Sequence, residues 1–358
     1  MLSLRALLSI TILAGVAGAI AEGCGSTSTS DSDASAPQPN PSSIPAEGGT
    51  PRVPPTSEQD AEARPEGGDG NRDGSTTSTG RYGSNGMSSV TTSTFSVTGS
   101  AGSPFDVNVY LPSGAGPFPV VILSSGGLQK AAAYTPYAQR LASWGIIAIT
   151  RDDPGLLANV DDLVANVAYL VTTWLPAQNS AAGGKLVGKV DVAKIGLAGH
   201  SRGARVSLIA AAGEARGKIK GFFGLDPVDD RAPYARTGIA TVNVPLAFIG
   251  ETTDSAAGNC APAGSNFEFL YSLAASPIVA ITVANADHTM FQDQTSCTFC
   301  GVCTKGTALP SAVLSTSIRY LTAFFARELL GDTSVGAAFQ GAGAATDVAS
   351  KIITIVSK

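Results

Sequence analysis

The sequence predicts an α/β fold, a mostly parallel β-sheet covered by helices on both faces. Three observations predict it. Apolar runs of strand length alternate with helical stretches from about residue 91 to residue 330, the pattern of a layered α/β domain. The inner strands, such as 119–124, are continuous apolar runs, as expected of strands buried on both faces. Gly199-His200-Ser201-Arg202-Gly203 stands between the strand-like run 194–198 and the Ala-rich helical run 204–212. That is the strand–turn–helix setting of a nucleophile elbow, with the form G-x-S-x-G.

The elements follow in chain order. Residues 1–23 carry Arg5 and then a Leu-, Ile-, Ala- and Val-rich run, which reads as a signal peptide. Ala19-Ile20-Ala21 is a good cleavage site, while Cys24, preceded by Gly23, is a candidate for lipidation. Residues 24–88 are rich in Ser, Thr, Gly, Pro and acids and poor in large apolar residues. Such a segment buries too little surface to offset its ordering entropy, so it reads as a disordered tether. A flexible chain of that length reaches on the order of 40 Å. The expected location is therefore outside the cytoplasm, as a cell-envelope lipoprotein or a secreted protein.

The folded domain is expected over 89–331. Residues 94–98 and 105–111 read as a leading antiparallel pair, and 119–124 and 146–150 as inner strands. Residues 134–144 and 160–174 read as helices, the second ending before Pro176, whose ring and missing N–H interrupt a helix. After the elbow come strands at 219–225, 244–250 and 278–284 and an amphipathic helix at 311–330. The tail 332–358 has no clear pattern.

Charge separates the parts. Residues 22–88 hold ten acids and four arginines, and Arg5 lies in the leader. Of 28 acids and 23 bases in the chain, 18 of each fall after residue 88. The net charge of −5 thus belongs to the leader and tether. The folded part is neutral and carries no nucleic-acid signal. Membrane contact is expected only through a lipid on Cys24, and a monomer is expected.

The chemistry converges on few residues. A serine hydroxyl needs a base, most often His, and the chain has only two, His200 and His288. His200 lies inside the elbow itself, so His288 is the candidate base for Ser201. The order Ser…acid…His is that of the α/β-hydrolase fold. Two acids qualify as the third member: Asp226, after strand 219–225, and Asp254, after strand 244–250. Ser201, Asp226, Asp254 and His288 all follow strands, where ligand sites of parallel sheets gather. An oxyanion hole needs two backbone N–H groups. One is expected from Arg202, the other from Gly127 or Leu128 in the Gly-rich turn after 119–124. Asp152-Asp153 lacks an accompanying His and reads as loop or helix-start acids.

Five cysteines complete the inventory. Beside Cys24 these are Cys260, Cys297, Cys300 and Cys303, which after an export signal are expected to form two disulfides. The C-x2-C-x2-C spacing of the last three also matches a metal or redox cluster. No cofactor is implied by the rest of the chain. A further reading keeps the fold as a non-catalytic surface binding protein.

Over roughly residues 105–330 the chain resembles the chlorophyllase family. The likeness rests on Gly199-His200-Ser201-Arg202-Gly203, Gly224-Leu225-Asp226-Pro227-Val228, Cys260-Ala261-Pro262 with Asn266-Phe267-Glu268-Phe269, and Ala286-Asp287-His288-Thr289-Met290. Cys300 and Cys303 before Lys305-Gly306 also match. The resemblance implies an ester hydrolase with Ser201 as nucleophile, Asp226 as acid and His288 as base. Asp287 and Asp230 stand where the family usually has Gly. The substrate, a small-molecule, lipid or polymer ester, is not specified by these motifs.

Overall fold

A computed structural model describes residues 80–100, 102–152, 158–275, 277–294, 300–339 and 344–358. The leader, Cys24, most of the tether, Asp153 and Cys297 lie outside them. The described residues belong to one compact unit, Gly70–Lys358. Among them no helix is long and apolar enough to cross a membrane.

The first strands, β1 (Val90–Thr98) and β2 (Pro104–Pro112), form the expected antiparallel pair. β3 (Phe118–Ser124) is followed by α1 (Thr135–Ser143) and β4 (Ile147–Arg151). Then come α2 (Val160–Tyr169), α3 (Leu175–Ser180), β5 (Val190–His200) and α4 (Arg202–Ala212). β6 (Ile219–Leu225), β7 (Leu246–Gly250), α5 (Phe267–Leu273) and β8 (Ile278–Val283) complete the middle of the chain. α6 (Pro310–Phe325), α7 (Ala345–Ala349) and β9 (Ile353–Ser357) close it.

All nine strands join one sheet in the order β1-β2-β4-β3-β5-β6-β7-β8-β9. The strands from β4 through β3 and β5 to β8 are parallel, and at the edges β2 pairs antiparallel with β4, β1 with β2 and β9 with β8. Inner strands feed both faces: Val121 and Leu123 of β3 pack on the side of α1 and α6, Val120 and Ile122 on the side of α2 and α4. This is the mostly parallel, doubly covered sheet of the α/β-hydrolase fold.

Three expectations change. The helix expected to stop before Pro176 continues to Ser180. A π-helical turn at Leu170–Trp174 makes Leu175 N–H donate to Leu170 C=O, so Pro176 falls in the first turn of α3. A proline there removes no needed hydrogen bond. The tether expected to reach residue 88 ends earlier. Tyr82 is 1% exposed, packs on Trp144 with ring centroids 4.6 Å apart, and its carbonyl accepts from Arg140 Nη1 at 2.6 Å. The segment after it is tied down as well, Trp144 Nε1 donating to the Ser84 carbonyl and Gly86 N–H to Ser143 Oγ. The tail after 331 is part of the domain rather than an appendage. Phe339 and Ile353 are buried in the α1/α6 core, and β9 pairs along β8.

Candidate active site

Sequence dictates the elbow locally. A Cβ on Gly199 would stand 2.5 Å from the Gly203 carbonyl carbon, and one on Gly203 would collide with the Ser124 and Ser125 carbonyl oxygens. With both positions small, β5 can turn directly into α4. The cost falls on Ser201, at φ 53° and ψ −123°, a conformation that L-residues adopt only when their surroundings enforce it. Leu128 (φ 63°) and Asp226 (φ 38°) are likewise left-handed. Three of the five such non-glycine residues among those described therefore surround one site.

At that site Ser201 Oγ lies 2.9 Å from His288 Nε2, and His288 Nδ1 lies 2.6 Å from Asp226 Oδ2. His288 starts a 3-10 turn after β8, and Asp226 follows β6 directly. Both are held from behind. Asp226 N–H donates to Ile249 C=O at 2.6 Å, and its Oδ1 accepts from Glu251 N–H at 3.3 Å. Burial raises the Asp226 pKa, a shift opposed by the imidazole.

Asp254, the other sequence candidate, is equally buried but meets different atoms. Its Oδ2 accepts from the backbone N–H of His288 at 3.2 Å, and its Oδ1 from Thr304 N–H at 2.6 Å. It anchors the loops and does not touch the imidazole nitrogens. Between the two aspartates sits Glu251, 0% exposed, its Oε2 accepting from Asp254 N–H at 3.0 Å. Burial first, and the Asp226 charge second, push its pKa up to about 9. It is a neutral acid near pH 7. Sequence reading missed Glu251, because nothing in Gly250-Glu251-Thr252 marks a glutamate as buried.

His200 lies inside the elbow, and its surroundings explain why it is not the base. It is 2% exposed, and burial, then His288 nearby, hold its pKa well below the usual value. Its Nε2 lies 3.1 Å from the His288 carbonyl oxygen, which can only accept, so Nε2 carries the proton. Its Nδ1 then accepts from Tyr134 Oη at 2.8 Å, and Tyr134 Oη accepts from Gly126 N–H at 3.0 Å. Tyr134 thereby joins the elbow to the Gly-rich turn. No motif singled it out, because its sequence neighbourhood is that of an ordinary helix start.

Two cavities meet at the serine. One, of about 170 Å³, is lined by His200, Ser201, His288, Thr289, Gln292 and the cysteines 260, 300 and 303, among others. The second, of about 310 Å³, is lined by Gly127, Leu128, Ser201, Arg202, Arg205 and Arg231, among others. The backbone of Arg202 opens α4 and that of Gly127 borders both cavities, so the expected oxyanion donors lie beside the serine. Cys260 and Cys303 form a disulfide across 43 residues, and Cys300 is disulfide-bonded as well. Their sulfurs are thus tied up in covalent bonds rather than available as thiolate ligands. Asp152 accepts from Ala131 N–H at 2.6 Å, the loop role expected of it.

A model of the chlorophyllase family matches residues 78–335. The chain belongs to the chlorophyllase family. It is also 27% identical over 178 residues to "Chlorophyllase type 0" of Chenopodium album, covering 44% of this chain and 51% of that protein. The chain thus spans about half the length of this curated relative. Membership agrees with the α/β-hydrolase sheet described above. The family match starts at residue 78, close to the buried Tyr82.

The two departures from the chlorophyllase pattern have structural partners. Asp287 accepts from Thr289 N–H at 2.9 Å and from Gly306 N–H at 3.0 Å, tying the His288 turn to the segment before α6. Asp230 pairs with the buried Arg205 at 2.7 Å.

Proposed function

We propose that this chain is a serine carboxylic ester hydrolase working through an acyl-enzyme. His288 Nε2 takes the Ser201 proton as Oγ attacks the ester carbonyl. Asp226 holds the imidazole in the required tautomer and stabilises its charged form. The N–H groups of Arg202 and of Gly127 or Leu128 receive the developing oxyanion. The imidazolium then protonates the leaving alcohol, and water repeats the sequence to release the acid. The observation that carries this reading is the unbroken hydrogen-bonded chain Ser201–His288–Asp226 at a strained elbow that borders two cavities. An intact chain of this kind also counts against a purely binding role.

The experiment is a panel of p-nitrophenyl esters together with a fluorophosphonate probe, with chlorophyll as a further substrate. Ester turnover with the probe mapped to the Ser201 peptide is the expected result. Turnover without labelling at Ser201 overturns the mechanism, and no turnover of any ester overturns the function.

The leader and tether support export with a lipid on Cys24. On that reading the native protein partitions into detergent, and Cys24→Ser moves it to the soluble fraction. A soluble native protein beginning at Glu22 would leave export alone standing.

A further inference from the structure

The two cavities beside Ser201 differ in chemistry, and that difference assigns them different halves of an ester. His288 must protonate the leaving oxygen, so the alcohol departs on the imidazole side, into the smaller cavity that His288 lines. The acyl part then extends the other way, into the larger cavity beyond Gly127 and Leu128. Part of that cavity is apolar, with Leu128, Ala158, Val160 and Val228, and part of it is charged. Arg205, with its side chain 2% exposed, and Arg231, 76% exposed, both pair with the single carboxylate of Asp230, at 2.7 and 3.1 Å. The neighbouring carboxylate, Asp229, is 0% exposed and is engaged by Arg236 Nε at 2.8 Å and by the N–H groups of Ala235 and Arg236. Two guanidiniums therefore share one carboxylate at this wall. Guanidiniums favour planar anions, which they meet with paired N–H donors.

We propose that the larger cavity is the acyl subsite and that it takes an ester whose acyl chain ends in an anionic group, a carboxylate above all. This rests on the serine esterase reading and deepens it. Half-esters of dicarboxylic acids are the simplest members of the class.

The test compares p-nitrophenyl hydrogen adipate, suberate and sebacate with their methyl-capped neutral counterparts. At one chain length the acid should show kcat/KM about tenfold above its methyl ester, the worth of one charge-assisted contact. The advantage should shrink as salt is raised. Arg231→Gln should reduce the ratio of acid to methyl ester severalfold, and an unchanged ratio overturns the subsite. Equal rates for acid and methyl ester at every length, with turnover still dependent on Ser201, overturn the subsite and leave the esterase intact. Should no ester be turned over, calorimetry on Ser201→Ala with monomethyl suberate against dimethyl suberate decides the subsite by itself. Tighter binding of the monoester supports it, and equal binding refutes it.

Discussion

The loops after β6 and β7 make an instructive pair. Each begins where a buried parallel strand ends, and each has an aspartate with 0% exposure close to His288. Asp226 meets the ring at Nδ1, whereas Asp254 meets the backbone N–H of the same residue. On the proposed mechanism one acid acts on a group that changes its charge during turnover. The other acts on a group that never does. Two carboxylates of the same residue type and burial thus differ in kind, because an atom's partner, and not its depth, sets what removing it will cost.

The most drastic way to break this comparison is to remove the hydroxyl that the imidazole serves. Ser201→Ala should lower ester turnover by about 10⁴-fold or more and abolish fluorophosphonate labelling, with circular dichroism unchanged. Near-wild-type turnover would leave both aspartates without a triad to belong to.

The comparison itself is read most directly from two matched variants. Asp226→Asn should cut kcat by about 10⁴-fold, since an amide stabilises neither the tautomer nor the imidazolium. Asp254→Asn keeps one accepting oxygen and should stay within about tenfold of wild type in kcat, while losing about 1–3 kcal/mol of stability. Reversed kinetic ranks would mean that Asp254 takes over the imidazole during turnover.

A smaller effect sharpens the view of the Asp254 loop as an anchor. The Cys260–Cys303 bridge ties that loop to the segment holding Thr304 and closes a chain segment of 43 residues. Cys303→Ser should destabilise the protein by about 2–4 kcal/mol in denaturant titrations. An unchanged midpoint would show that hydrogen bonds from Asp254 suffice.

The smallest effect concerns the glutamate between the two aspartates. Glu251 has a native pKa of about 9 against an ordinary value of 4.5, so the native state holds its proton more tightly than the unfolded chain does. That contribution is complete below about pH 4.5 and is lost as pH climbs towards 9. Glu251→Gln removes the titration. Its advantage over wild type should therefore grow steadily as pH rises from 5 to 9. Parallel stability–pH curves for the two proteins would refute a buried neutral carboxyl.

How much of this was legible beforehand depends on how local each feature is. The elbow was readable because its geometry follows from two small residues and an intervening Ser. The parallel strands were readable because burial on both faces leaves unbroken apolar runs. Asp226 and Asp254 could not be separated by pattern alone, and the family resemblance pointed to the one that meets the imidazole. Glu251, Tyr134 and the strap around Tyr82 were not legible. Tyr134 and Tyr82 matter through partners far away in the chain, 66 residues to His200 and 250 to Asp332, and Glu251 through its burial beside Asp226.

The sequence by itself determined the alternation of strand and helix, the class of fold, the elbow, and the identity of the histidine available to it. Those follow from local propensity, hydrophobic period and the shortage of histidines. Only the tertiary structure decided which aspartate meets the ring and which the backbone, that the last strand joins the sheet, and that two cavities, one of them partly lined by charged side chains, meet at one serine. Each of those depends on distances of a few ångströms between residues brought together from separate strands, and such distances exist only once the sheet has formed.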